Sequence, residues 1–107
     1  MTTFSSVARI PTAHASKYLQ QVCKHWEHNL PVSYDKLHGE ITFAKDVRGA
    51  DWPADALVTL DADDTALLCT INASAQGQRD GLKGALERHI DRFAFREAPL
   101  VYNWTDG

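Results

Sequence analysis

No stretch of this chain approaches the roughly 20 consecutive apolar residues that a membrane-spanning helix requires, so a helical span is excluded. Cysteine is scarce. Cys23 and Cys69 are the only two, and each sits inside an apolar pattern. They read as buried free thiols, a usage that suits a reducing cytosol and not a disulfide framework. Positive charge is not in excess: 11 Lys and Arg stand against 14 Asp and Glu, for a formal charge of −3. Phosphate binding usually needs a basic surface, so nucleic acid is not the expected partner. The opening Met1 to Ser6 has neither a charged nor an apolar leader segment, and a cytoplasmic location is expected. The glycines build neither a phosphate loop nor a dinucleotide fingerprint, and no Gly-x-Ser-x-Gly elbow is present. There is no internal repeat and no low-complexity tract.

What remains is the pattern of one ordinary domain, since 107 residues suit a single core. Phe4 to Ile10 reads as a strand stopped by Pro11, with Thr12 a candidate helix cap. A helix is expected from about Ala13 to Asn29. Its apolar residues Ala15, Tyr18, Leu19, Val22, Cys23, Trp26 and Leu30 recur at threes and fours. Val32–Tyr34 and Ile41–Phe43 read as strands around a turn in which Gly39 can supply a positive φ. The segment from Lys45 to Ala54 reads as a loop with a short edge strand. Ala56–Leu60 and Ala66–Ile71 form a hairpin around the acidic turn Asp61, Asp63 and Asp64. A second helix covers about Gln78 to Phe95, with Leu82, Leu86, Ile90 and Phe93 as its stripe. Leu100 to Trp104 reads as a last strand, with Pro99 tolerated at its start. Hairpin-linked strands and two amphipathic helices predict a two-layer α+β sandwich, a mainly antiparallel sheet covered on one face.

The first helix carries the densest chemistry. Cys23 and His25 lie about 160° apart around its axis and cannot share a metal, so the apparent Cys-x-His-x-x-His motif dissolves. His25 and His28 do face together. His14 stands roughly 16 Å along the axis from His25 and cannot join them. A Zn or Fe site would need a further ligand, for which His89 is the candidate. Without a metal these three histidines serve structure, ligand contact or proton transfer. If His89 packs near His25, the two histidines influence each other's charge.

Ala15, Ser16, Tyr18, Leu19, the run Cys23-Lys24-His25-Trp26 and His28 resemble the first signature of family 2218 among bacterial domains of unknown function. Gly39, Ile41 and Phe43 resemble its next strand. His89, the run from Arg92 to Glu97, and Trp104 resemble its C-terminal signature. The chain departs from the pattern at Asn29, where a lysine is usual, and across Ala44 to Ala56. The family carries no established activity. The domain is similar to one found joined to siderophore-interacting flavin reductases, which release iron from ferric siderophores. The resemblance therefore implies iron acquisition as a setting, with such a reductase or a ferric siderophore as the partner. It implies no catalytic residue.

On the second helix, Gly77, Gly81 and Gly84 line the side away from the apolar stripe. Each costs about 1 kcal/mol against alanine in a helix interior. Either the helix begins near Asp80, or something packs closely on that face, such as a partner subunit. Arg88, Arg92 and Arg96 recur beside Glu87 and Asp91, a flank expected to be solvated and ion-paired and able to dock an anionic ligand. Trp52, beside Pro53, is the tryptophan expected to be exposed. Three functions compete: an accessory binding domain, using Arg88, Arg92 and Trp52; a metal-binding or histidine-dependent enzyme, using His25, His28 and His89; and a self-associating module. No cofactor is predicted for the first, which the absence of a catalytic set favours.

Overall fold

The computed structural model describes residues 3–107. Its elements, in chain order, are β1 (Phe4–Pro11), α1 (Ala15–Trp26), β2 (Val32–Tyr34), β3 (His38–Phe43), a 3-10 turn (Val47–Gly49), β4 (Ala56–Ala62), β5 (Ala66–Ala73), α2 (Gln76–Phe93) and β6 (Thr105–Asp106). The strands form one antiparallel sheet in the order β2-β3-β4-β5-β1-β6. Both helices lie against one face of it and touch each other. This is the expected α+β sandwich.

Alternation decides which face is covered, because successive strand side chains point to opposite sides. Ala8 and Ile10 of β1, Ile41 and Phe43 of β3, Val58 and Leu60 of β4, and Leu67, Cys69 and Ile71 of β5 all point inward and are buried. Register aligns them into rows: Ile10 opposes Leu67, Ala8 opposes Cys69, and Cys69 opposes Leu60. Leu19, Val22 and Cys23 of α1 and Leu86 and Ile90 of α2 close the core from above, each fully buried. Burying a large aliphatic side chain of this kind contributes about 1.5–3 kcal/mol.

Gly39 has a different role from the one expected. It lies within β3, paired to Leu60, and among the described glycines only Gly49 has positive φ, at 81°. A Cβ on Gly39 would stand 2.7 Å from the Cys23 sulfur. The residue is there because α1 crosses β3 too closely for any side chain.

The final strand is displaced from its expected place. Leu100–Trp104 does not pair with the sheet; only Thr105–Asp106 does, beside β1. The preceding segment is bound to α2. The backbone N–H of Leu100 donates to Asp91 Oδ1 at 3.2 Å, the Tyr102 hydroxyl donates to the same oxygen at 2.8 Å, and the Trp104 indole N–H donates to Glu87 Oε2 at 3.1 Å. Side chains reading as a strand face are spent on a helix flank. Nor does the loop after β3 contain an edge strand; it holds the 3-10 turn. At the far end of the chain Asp106 takes Lys83 Nζ at 2.7 Å and the Ser6 hydroxyl at 2.7 Å, which ties β6 to both α2 and β1.

Thr12 is not the cap of α1: His14 occupies that position with no side-chain cap bond, and the Thr12 hydroxyl accepts from the His14 backbone N–H at 3.1 Å. The same hydroxyl donates to Glu97, whose carboxylate also takes the Tyr18 hydroxyl. Burial first, and this carboxylate second, push the Tyr18 phenol up to about 12.

On the uncovered face, His38 is gripped by two carboxylates. Its Nδ1 lies 2.6 Å from Asp61 and its Nε2 3.0 Å from Glu40, an arrangement that needs both ring nitrogens protonated. The hydrogen bonds to Asp61 and then Glu40 raise its pKa above the usual histidine value. A raised folded-state pKa adds stability below the unfolded value, near 6.5, and that stability is lost as pH rises through the folded value. The side chain is 45% exposed, so the pair of contacts contributes no more than about 1 kcal/mol. The melting temperature of the native chain is expected to exceed that of His38→Gln at pH 6, and the gap to close by pH 9. A gap that does not change across this range would show that the imidazolium contacts add nothing.

Candidate functional site

Helix α2 begins at Gln76, so Gly77, Gly81 and Gly84 all lie inside it and the later start near Asp80 is incorrect. Its start is fixed by a small polar cluster. Gln78 Oε1 accepts from the Ser74 backbone N–H at 2.8 Å and from its hydroxyl at 2.6 Å, and Gln78 Nε2 donates to the Ala54 carbonyl at 3.0 Å. These bonds pin the loop after β3 to the N-terminal turn of α2.

At Gly77 the chain itself, and not a partner subunit, supplies close packing on the glycine face. The Trp52 ring reaches Gly77, with Cη2 3.0 Å from where a Cβ would sit. Trp52 is accordingly half-buried and not the exposed tryptophan expected from its loop position. Its backbone N–H donates to the Lys45 carbonyl at 3.0 Å, and the Lys45 N–H donates to Asp55 Oδ1 at 2.8 Å, so the loop is clasped where it leaves and rejoins the sheet.

Between this loop, the end of α1 and the outer side of α2 lies a groove of about 400 Å³. Trp26, Leu30, Phe43, Val47, Trp52 and Leu82 give it apolar walls. Gly77, Gly81 and Ala85 form its floor along α2, and nothing comes within 4 Å of a Cβ placed on Gly81. Its polar lining is Asn29, Gln78, Arg88 and His89. Of these only Arg88 and His89 are ionisable, and both are basic, in a chain whose formal charge is −3. An apolar concavity with a few polar groups is the usual form of a small-molecule site.

The structure divides the sequence-predicted site residues. His89 and Arg88 line the groove with Trp52. His25 packs against His89 with ring centroids 5.2 Å apart, and the Trp26 ring lies 4.6 Å from His89. Burial, then the neighbouring charges of His89, Arg92 and His28, lower the pKa of His25. His89 Nδ1 lies 2.7 Å from the Ala85 carbonyl, which makes that nitrogen the donor and leaves Nε2 without a protein partner among the described residues. The three histidines do not gather around one point: among the described residues, no group of three or more His, Cys, Asp or Glu could hold a metal ion.

The arginine flank is not the ion-paired surface expected. Glu87 and Asp91 are engaged by Trp104 and Tyr102, so Arg88, Arg92 and Arg96 form no ion pair among the described residues. Arg96 lies over the Phe95 ring instead, 5.7 Å from its centroid. Both cysteines are buried. Burial pushes the Cys23 thiol up to about 12 and raises that of Cys69 as well, which leaves neither as a nucleophile.

The sequence points to Trp52, Arg88 and His89 but not to the groove. Leu30, Phe43, Val47, Ala50 and Gly81 come from four separate segments, and no periodicity links them. The one available signal is the glycine face of α2, which reads either as a later helix start near Asp80 or as a surface for something packed closely, such as a partner subunit.

A bacterial family described as "Uncharacterized protein conserved in bacteria (DUF2218)" matches residues 7–105. The chain belongs to this family. Its fold is also that of PA4090 from Pseudomonas aeruginosa, determined by NMR, with a TM-score of 0.74 and 22% identity over 95% of each chain. No curated protein matches the chain. The family span runs from Val7, within β1, to Thr105, the first residue of β6, so both the groove and the loop bearing Trp52 fall within it. Among the described residues no helix is long and apolar enough to cross a membrane.

Proposed function

We propose that this member of the family is an accessory binding domain that holds a small apolar ligand in the groove between Trp26, Trp52 and α2. The observation that carries the reading is the open floor at Gly81. A helix glycine costs about 1 kcal/mol against alanine, and here no neighbouring atom accounts for its small size. A ligand lying on the helix backbone would. The volume of about 400 Å³ is at the lower end for ligand sites, roughly 300–1,000 Å³. It suits a two-ring molecule, or one aromatic arm of a siderophore rather than a whole ferric complex. The iron setting rests on the family resemblance alone, which makes ferric catecholate siderophores, tried as their gallium analogues, and a siderophore-interacting flavin reductase the physiological candidates.

The test is a ¹H–¹⁵N titration with 2-naphthol, repeated on Trp52→Ala. Saturable shifts centred on Gly81, Leu82 and Ala85 are expected, with affinity reduced about tenfold or more in the variant, since an aromatic wall of this size contributes upwards of 1 kcal/mol. Shifts that never saturate, or that map to the open sheet face, would overturn the reading. The same titration with Ga³⁺-siderophore tests the finer assignment.

A further inference from the structure

Apolar walls bind many molecules; the charged end of the groove restricts which. The floor runs along α2 from Gly77, under Trp52, through Gly81 and Ala85 to Arg88 and His89, beside Trp26. From Gly81 to Arg88 the helix rises roughly 10 Å, about the length of a two-ring aromatic acid. Arg88 lies back along α2 over Gly84, its Nη1 3.1 Å from where a Gly84 Cβ would be. Its charge is thus held over the helix, one turn nearer the opening at Gly81.

That charge is not neutralised locally. Glu87 and Asp91, its nearest acids in sequence, are turned to Trp104 and Tyr102, and among the described residues no acidic one lines the groove. A guanidinium that meets no carboxylate, next to an apolar cleft, is suited to bind one, since Arg–carboxylate contacts are charge-assisted and often bidentate. We infer that the ligand is a flat aromatic carboxylate, its rings on Gly81 between the two tryptophans and its acid group on Arg88. Arg88 is then the residue that selects acids over neutral molecules of the same shape. This inference rests on the groove being the binding site, and goes further by naming the ligand class.

The experiment compares 2-naphthoate with 2-naphthamide, which has nearly the same shape and no charge, by calorimetry and ¹H–¹⁵N shifts at pH 7. The carboxylate is expected to bind at least about tenfold more tightly, with shifts at Gly81, Ala85 and Arg88. In Arg88→Gln, an exposed substitution that leaves the core untouched, the two should bind alike, at the affinity the amide has for the native chain. Equal affinities in the native chain would overturn the acid assignment while leaving the groove as a binding site. A preference for the acid that persists in Arg88→Gln would overturn the role of Arg88. Failure of both molecules to bind would remove the groove itself.

Discussion

Gly39→Ala is expected to destabilise the protein by about 1–3 kcal/mol, the usual cost of forcing extra volume into a packed core. In a strand free of contacts the same change would stabilise, because alanine loses less conformational freedom on folding. The sign is reversed here by one distance: the added methyl would stand 2.7 Å from Cys23 Sγ, with Tyr34 Cβ at 3.4 Å and Leu19 Cδ2 at 3.5 Å behind it. None of these can retreat easily. Cys23 and Leu19 are fully buried on α1, and Gly39 is held in register between Tyr34 and Leu60 by the β2 and β4 pairings. The helix must lift from the sheet or the strand must bow. Thermal unfolding is expected to shift down by roughly 4–8 °C per kcal/mol for a domain of this size. A double-mutant cycle identifies the cause. Cys23→Ala removes the sulfur, so Gly39→Ala should cost less in that background than in the native chain, with coupling of about 0.5–3 kcal/mol. Strictly additive costs would show that the crossing distance is not what requires glycine.

The same glycine shows where reading a sequence stops. Its turn-like neighbourhood, Asp35 to Gly39, suggested a positive φ, yet the turn is made by Asp35, whose carboxylate accepts from the backbone N–H groups of Leu37 and His38 at 2.8 Å each. The demand on Gly39 comes from Cys23 of α1, far off in the chain, and local pattern carries no trace of it. Elements set by their own periodicity are legible: α1 through its buried stripe, although it ends at Trp26 and not near Asn29, which leaves His28 and Leu30 beyond the helix, and β4 and β5 through Val58, Leu60, Cys69 and Ile71. Leu100 to Trp104 is not, because its alternating aromatic residues could satisfy either a sheet or the flank of α2, and the acceptors Asp91 and Glu87 decide between them. The proximity of His25 and His89 is open in the sequence, compatible with two helices covering one face, and the structure shows it. The groove is not legible there, since it exists only once the loop bearing Trp52 is clasped onto α2 by Ser74 and Gln78.

Gly81→Leu is expected to abolish binding in the groove while leaving the fold at least as stable as before. The two effects have separate origins. On the side of stability, Gly81 is exposed and lies within α2, and no atom comes within 4 Å of where its Cβ would stand, so a side chain there meets no clash at its root. Replacing glycine by a good helix former in such a place contributes about 0.8–1 kcal/mol. On the side of function, the isobutyl group occupies the floor between Trp52 at Gly77 and His89, where the rings of a ligand would lie. Its volume comes out of a space of only about 400 Å³. Affinity for 2-naphthoate should fall by more than about a hundredfold, which corresponds to a loss near 2.8 kcal/mol. Gly81→Ala, with one methyl, should stabilise similarly and weaken binding far less. Retaining glycine at the expense of stability has a simple account if the space above it is used. Binding that survives Gly81→Leu unchanged would place the ligand elsewhere on the protein. A variant both stabilised and unable to bind would instead tie the cost of this residue to an occupant of the groove.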